Sequence, residues 1–415
     1  MKSGLILSGL AALALTGIAV GGPVVKTGAC PTFTRSVAPA TSNNGWAQFN
    51  IKPGTAFVQN CASGTQNNCT MQDPLPPAQS INCQQVPSGF RTELFASEEI
   101  HGTGSDTGTM AYVQHFTFDE KGRVWAVEPR SYPNITRAAE ASGNANNNRL
   151  QGGNDRVLIL TDSDGDGVMD KFKVFLTGLN IPGGIEVVNG GVIIVISPYV
   201  VFYPNINDSA GPPQVLWHNI GNAGSTQNFD THFSSGFPFY HLENFVYAVT
   251  GNNSCSARVP GTTTGGIECG ARYTWRFKHT AMKSDTTLFQ TWAQGTGSAN
   301  SRAVGQMEDG QIFQNTATAA NSITAQHGVR ASSTAVSIAA AVGSETNTNR
   351  FYPITRDSYL WEGSTTETSN GFASGQATAT SSYNIYTARL FPQKYWNRFG
   401  FTCDGAYHLC NQDSM

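Results

Sequence analysis

The stretch that decides the fold reads Arg156-Val157-Leu158-Ile159-Leu160-Thr161, then Asp162-Ser163-Asp164-Gly165-Asp166-Gly167-Val168-Met169-Asp170, then Lys171-Phe172-Lys173-Val174-Phe175-Leu176. Two hydrophobic runs flank a loop of carboxylates and glycines. Asp162, Asp164, Asp166 and Asp170, with Gly167 permitting a sharp turn, can converge on one hard cation; Ca²⁺ takes about 6–8 oxygen ligands from such a loop. An EF-hand would place a bidentate Glu at the twelfth position between two helices. Here that position is Lys173, and both flanks alternate like strands. The spacing therefore predicts the shorter D-x-D-x-D-G-x-x-D loop of a β-hairpin, with the four Asp side chains and the Val168 carbonyl as ligands. The plainer reading is an acidic, solvated turn. Even when occupied, such a loop more often staples a hairpin than does chemistry.

Working outward, the same pattern recurs. Short β-branched and aromatic runs appear at Phe90–Phe95, Val113–Phe118, Arg123–Val127, Val157–Thr161, Phe172–Leu176, Ile185–Val188 and Val192–Ile196. Val200–Tyr203, Gln214–His218, Phe245–Thr250, Tyr273–Phe277 and Thr287–Trp292 continue the series. Gly, Pro and Asn punctuate them, and no amphipathic helix interrupts, so the chain reads as all-β: a sandwich, barrel or propeller. Phe118–Trp125 forms a hairpin pattern turning at Glu120–Gly122, echoed at Val188–Val195 and Met307–Phe313. A repeat of roughly 50–70 residues suits a four-stranded propeller blade with its loops. Residues 315–345 and 363–384 are rich in Ala, Ser, Thr and Asn and only weakly patterned.

The 415 residues carry a formal net charge of −3 with 13% charged residues, which gives no basic footprint for nucleic acid. Residues 1–22 read as an export signal: Lys2, an apolar run over Leu5–Val20, then small residues near Ala19–Gly22. That run is short for a bilayer span, and no transmembrane segment is expected beyond it. Thr27-Gly28-Ala29-Cys30 only faintly resembles a lipoprotein site, because Pro23 and Lys26 separate it from the apolar run. The expected location is thus outside the cell membrane, periplasmic or extracellular. Eight cysteines in an exported chain predict disulfides. Proximity favours Cys61–Cys69, Cys255–Cys269 and Cys403–Cys410, leaving Cys30 with Cys83. There is no Cys-x-x-Cys-His for haem attachment, no Cys/His quartet with zinc spacing and no Gly-x-Ser-x-Gly elbow. Residues 23–85 read as an irregular, disulfide-tied leader and 86–415 as the propeller domain.

Several phrases together resemble one family. They are Val86-Pro87-Ser88-Gly89-Phe90 through Ser97, Phe118 through Glu128 with Tyr132-Pro133, and Asp155 through Asp170. Gly178-Leu179-Asn180-Ile181-Pro182-Gly183-Gly184-Ile185, Asp230-Thr231-His232 and Phe391 through Arg398 complete the set. The set is similar to the secreted "membrane-bound dehydrogenase"-type, or PVC-type, β-propellers, distant relatives of the glucose/sorbosone dehydrogenases that use pyrroloquinoline quinone (PQQ). The resemblance covers about residues 86–410 and implies a propeller of six-bladed ancestry. Two departures stand out. The family pattern continues Asp-Thr-His-His-Gly, whereas this chain has Phe233 and Ser234 after His232. The family also runs on past the Tyr-Trp-Asn-Arg segment, so the expected ring is either a shortened form or a fragment.

In PQQ enzymes of this fold a histidine takes the substrate hydroxyl proton as hydride passes to the quinone, and the protein positions the cofactor. The resemblance makes His232 the candidate base, with Asp230 beside it; imidazole titrates near neutral pH. Glu128, Arg130 and Tyr132 follow the strand Val124–Val127 and can line a central mouth, Arg130 holding a cofactor carboxylate. Alternatively Glu128 and Arg130 simply pair at the rim. Asn252 and Asn253 are weaker candidates for the same opening. His101, His115, His218, His241 and His408 form no ligand pattern and read as structural. Two functions follow: a PQQ-type sugar or alcohol dehydrogenase stapled by Ca²⁺, or a non-catalytic extracellular propeller that binds carbohydrate or a surface-protein partner. Converging polar groups at one mouth would favour the first; exposed aromatics would favour the second.

Overall fold

The computed structural model describes residues 76–83, 90–98, 110–132, 150, 152–220, 236–251, 254–269, 273–278, 289–291, 304–310, 312 and 384–397, together with further strand backbones. Strands β1 (His115–Phe118), β2 (Val124–Glu128), β3 (Asp155–Thr161) and β4 (Lys171–Leu179) pair antiparallel in chain order. The pattern repeats in β5 (Gly184–Val188), β6 (Gly191–Ile196), β7 (Tyr199–Pro204) and β8 (Gln214–His218). Next come β9 (Gly236–His241), β10 (Phe245–Val249), an inserted hairpin of β11 (Cys255–Ala257) and β12 (Ile267–Cys269), then β13 (Tyr273–Lys278) and β14 (Phe289–Gln294). β9, β10, β13 and β14 form the third sheet, to which Val336–Ser337 adds in parallel beside β14. A three-stranded sheet of β15 (Ser301–Gln306), β16 (Ile312–Thr316) and β17 (Thr324–Gln326) follows. β18 (Asn384–Ile385), β19 (Phe399–Asp404) and β20 (Leu409–Ser414) form the last sheet with Tyr352–Pro353.

The first strands of successive sheets lie side by side: β5 packs against both β1 and β9, and β9 against β15. The remaining strands of each sheet step outward. Antiparallel meanders arranged radially about their first strands are the blades of a β-propeller. The described part of the protein is therefore nearly all-β and built of blades, as the strand periodicity predicts.

Burial on both faces explains why β6 is an unbroken apolar run. Val192, Ile194 and Ile196 point to one side and join Trp125, Val127, Ile159 and Phe175 of the first blade. Ile193 and Val195 point to the other side and join Val246, Trp275, Phe277 and Phe289 of the third. A strand with a blade on each side cannot alternate apolar with polar. β1 contrasts with it: Phe116 and Phe118 stay exposed, while His115 and Thr117 turn inward.

The Pro182-Gly183-Gly184 phrase has a steric cause. A Cβ on Gly184 would lie 2.7 Å from Pro238 Cδ and 2.8 Å from the Phe237 nitrogen. Across the same junction a Cβ on Gly236 would meet the Gly183 carbonyl oxygen at 2.4 Å. Only glycine lets the starts of β5 and β9 approach this closely.

The two ends of the resembling region also meet. Phe90 packs edge-on against Phe391 at 4.9 Å and Tyr395 at 5.2 Å, and Tyr386 stacks on Phe391 at 4.4 Å. The same leading segment then covers the first blade, with Phe95 and Ala96 packed against Ala126, Leu158 and Phe172. The expected strand Phe90–Phe95 shrinks to Glu93–Leu94, because the segment covers a sheet face rather than extending its edge. β9 was not expected from sequence: Gly236 and Pro238 interrupt its apolar pattern.

Cys255 and Cys269 are disulfide-bonded, with Cα atoms 4.9 Å apart across the β11–β12 hairpin. Cys403 and Cys410 are register partners on β19 and β20. Cys30, Cys61 and Cys69 lie outside the described residues, so the disulfides expected to tie the leader do too. Among the described residues no helix is long and apolar enough to cross a membrane.

Candidate functional site

Strand alternation sorts the candidate residues onto two opposite faces. One end of the first blade carries the β1–β2 turn and the β3–β4 loop. The other carries the start of β1, the β2–β3 connection and the junction of β4 with β5. The acidic loop and the Glu128–Tyr132 segment therefore lie at opposite ends of β3, whose 7 residues span roughly 20 Å at about 3.3 Å per residue.

At the acidic end, carboxylate oxygens of Asp162, Asp164 and Asp166 lie within 4.8 Å of one another. The side chains also build the loop. Asp162 accepts the N–H groups of Gly165 at 2.7 Å and Gly167 at 2.9 Å, and Asp166 accepts that of Val168 at 2.8 Å. Gly165 and Gly167 adopt φ of 79° and 87°, conformations that favour glycine. Asp170 is not part of the three-carboxylate cluster: it accepts the backbone N–H and the hydroxyl of Ser163, bonds that hold its pKa below the usual range. Nearby, Asp119 receives the Arg123 guanidinium at 2.7 Å and the Trp125 indole N–H at 3.0 Å. Arg123 reaches on to both oxygens of Asp208, at 2.7 and 3.0 Å, tying the first blade to the β7–β8 loop of the second.

At the opposite end, Glu128 is completely buried and opposes Arg156 across the β2–β3 ladder. Its carboxylate takes Arg156 Nε at 2.5 Å and Nη2 at 3.0 Å, and accepts the Ala111 N–H. Arg130 Nε lies 3.8 Å from the same carboxylate, with its side chain 38% exposed. Thus the rim pairing of Glu128 with Arg130 is secondary to a buried pair with Arg156. Tyr132 is half-buried, and its N–H turns back to the Pro129 carbonyl at 3.0 Å.

Asp155, which the sequence reading passed over, holds this end together. Fully buried, it accepts the Ser131 N–H at 2.6 Å and the Ile181 N–H, joining the β2–β3 connection to the β4–β5 junction. Burial pushes its carboxyl pKa up, against those hydrogen bonds. The Tyr112 hydroxyl donates to the Pro129 carbonyl at 2.6 Å, and burial, with Asp155 and Tyr132 nearby, pushes its pKa up to about 12.

His115 begins the innermost strand at this face. Its Nδ1 accepts the Ile185 N–H at 3.2 Å and its ring meets Phe237 edge-on at 5.5 Å; burial pulls its pKa down to about 4. His218 and His241 bond the Val259 and Gly310 carbonyl oxygens at 3.1 and 2.9 Å. His232, Asp230, Asn252 and Asn253 lie outside the described residues, as do His101 and His408. The strands flanking them do not: β8 ends, β9 begins and β10 ends at the face that carries Glu128 and Arg130.

Among curated protein sequences none matches the chain. Solved structures give remote likenesses. A luciferin-regenerating enzyme matches at TM-score 0.29 and 9% identity over 48% of this chain and 52% of its own, so this chain spans about half of that protein's length. A putative oxidoreductase (glucose dehydrogenase) of Thermus thermophilus matches at 0.36 and 8%, over 71% and 76% of the two chains. The PQQ-bound aldose sugar dehydrogenase of Streptomyces coelicolor matches at 0.36 and 7%, over 74% and 82%. Likenesses this remote carry no argument about activity. One family model reaches much further along the chain, matching residues 76–415, and by that match the chain belongs to the family of the domain of unknown function DUF7133.

Proposed function

We propose that this chain is an exported β-propeller of six-bladed ancestry, carried behind a signal over residues 1–22 and a disulfide-tied leader over 23–85. A Ca²⁺ ion staples its first blade, and the opposite face accepts PQQ for oxidation of a sugar or related alcohol. The observation that carries the reading is topological. The Arg130 segment and both flanks of Asp230-Thr231-His232 arrive at one face, opposite the acidic hairpin. That division gives the metal a stapling role and reserves the other face for chemistry.

Arg130 fits the cofactor: its half-exposed guanidinium matches a carboxylate, and PQQ carries carboxylates. Tyr132, and Asn252 beyond it, line the same opening in this reading. PQQ, when bound, supplies the hydride acceptor. His232 takes the proton of the substrate hydroxyl on its imidazole, and Asp230 orients that ring. Glu128 contributes from below, fixing through Arg156 the strand end from which Arg130 projects.

The test is a thermal melt in Ca²⁺ with and without PQQ. A PQQ-dependent rise in melting temperature, absent in Arg130→Ala and His232→Ala, is the expected result and would justify a sugar screen. A melt that answers to Ca²⁺ alone would remove the dehydrogenase reading. One observation favours the other class: Phe116 and Phe118 are 56% and 59% exposed and meet edge-on at 5.9 Å. Exposed aromatics of this kind suit a non-catalytic propeller that stacks carbohydrate or seats a surface-protein partner.

The metal proposal has its own test. Asp162, Asp164 and Asp166 supply hard carboxylate oxygens, to which the spacing adds the Val168 carbonyl and Asp170. At a hundredfold excess over Kd, a ligand bound only by the folded state stabilises it by about 2.7 kcal/mol. Asp166→Ala is therefore expected to lower the melting temperature in Ca²⁺ and to leave it nearly unchanged in chelator. Equal losses in both media would remove the calcium assignment.

A further inference from the structure

Glu186 on β5 is a carboxyl group that none of the chemistry above uses. It sits on the innermost strand of its blade, half-buried and walled by the neighbouring blades. Its side chain hydrogen-bonds the Thr117 hydroxyl of β1 on one side and receives the Tyr240 N–H of β9 on the other. The carbonyl of that same Tyr240 accepts the Gln306 amide N–H of β15 at 3.0 Å. Thr117, Glu186, the Tyr240 backbone and Gln306 thus form one polar belt across the first strands of four successive sheets.

We propose that Glu186 is a proton-binding keystone of this belt, and that its ionisation loosens the inner ring where the first three blades meet. A protonated carboxyl donates its O–H to Thr117 Oγ1 and accepts the Tyr240 N–H with its other oxygen, so both neighbours are served without burying a charge. An ionised carboxylate keeps both neighbours as donors but needs water or a cation to offset its desolvation.

Among the described residues the surrounding elements bring no cation to it. β1 contributes His115, which burial keeps neutral, and Thr117. β2 contributes Glu128, whose carboxylate is committed to Arg156 at the far end of its strand. β6 is aliphatic throughout. On β9 the Tyr240 hydroxyl turns to Asn244, and His241 to the Gly310 carbonyl. β15 offers Gln306, whose Oε1 is buried without a hydrogen-bond donor among the described residues. Burial accordingly pushes the Glu186 pKa up to about 8, against the pull of the Thr117 and Tyr240 hydrogen bonds.

The sign follows by linkage. An unfolded glutamate loses its proton near pH 4.5, whereas the folded one keeps it to about 8. Between these values the folded state holds the extra proton, so stability is greatest at the acid end and falls as pH rises towards 8. The full shift corresponds to about three-thousandfold in the folding equilibrium, a ceiling because the side chain is only half-buried.

Glu186→Gln keeps one acceptor for Tyr240 and one donor for Thr117 but cannot ionise. Its unfolding midpoint is expected to fall less than that of the wild type between pH 5 and pH 8, and to exceed it at pH 8. The wild-type protein supplies a second reading that needs no variant. With glutamate carboxyl groups isotope-labelled, infrared difference spectra should show one protonated glutamate persisting well above pH 6. A variant whose stability tracks the wild type across this range would overturn the proposal. So would infrared titration of every glutamate in the ordinary range.

Discussion

Glu128→Ala is expected to cost about 3–5 kcal/mol, the usual consequence of removing one partner from a buried ion pair. Glu128 is wholly buried and Arg156 nearly so, and two guanidinium nitrogens and the Ala111 N–H converge on the carboxylate. Without it a buried guanidinium keeps its charge and loses this acceptor. Since domains are stable by only about 5–15 kcal/mol, such a loss would bring the protein close to unfolding under mild conditions. Arg130→Ala provides the contrast. Its side chain is 38% exposed and its nitrogen 3.8 Å from the carboxylate, a geometry worth about 0–1 kcal/mol. Urea unfolding of the two variants measures the difference directly. Replacing both members of the pair, as in Glu128→Met with Arg156→Met, should recover most of the loss, because two apolar chains no longer require a counter-charge. Equal, small losses from Glu128→Ala and Arg130→Ala would mean that the pair contributes no more than a surface contact.

The same pair shows what sequence could and could not disclose. The strands of the first two blades were legible, because a blade imposes period-two alternation or, between two neighbours, an apolar run such as Val192–Ile196. The acidic hairpin was legible because its ligand-like residues are contiguous. The β4–β5 glycines announced themselves as a phrase, although their cause, contact with Gly236 and Phe237 some fifty residues on, needed the fold. Glu128 and Arg156 stand 28 positions apart, and only the register of β2 on β3 makes them partners. Asp155 and Glu186 were missed for the same reason: each acquires its role from a residue on another strand or blade. A single carboxylate within an apolar strand, as Glu186 is within Gly184–Val188, was the one signal available for it.

Trp217→Ala should match Glu128→Ala in size, losing about 3–5 kcal/mol, but through packing rather than charge. Trp217 is 1% exposed at the end of β8, where the second blade meets the third. Its ring lies 5.0 Å from Phe289 and 6.3 Å from Phe277, and Trp275 stacks on Phe289 at 5.4 Å. Truncation to Ala would leave a cavity bounded by two sheets, neither of which can close it without shifting against its other neighbour. Trp217→Phe separates volume from polarity. The Trp217 indole N–H is buried and finds no acceptor among the described residues, so the smaller ring removes an unsatisfied donor while keeping most of the aromatic contact. We expect Trp217→Phe to lose less than half as much as Trp217→Ala, read from urea midpoints at unchanged slope. If Trp217→Ala lost under about 1 kcal/mol, the second and third blades would not share one core, since a packed aromatic between two sheets cannot be deleted that cheaply. If Trp217→Phe lost as much as Trp217→Ala, shape rather than buried volume would govern this junction, and the blades would be fitted to the indole itself.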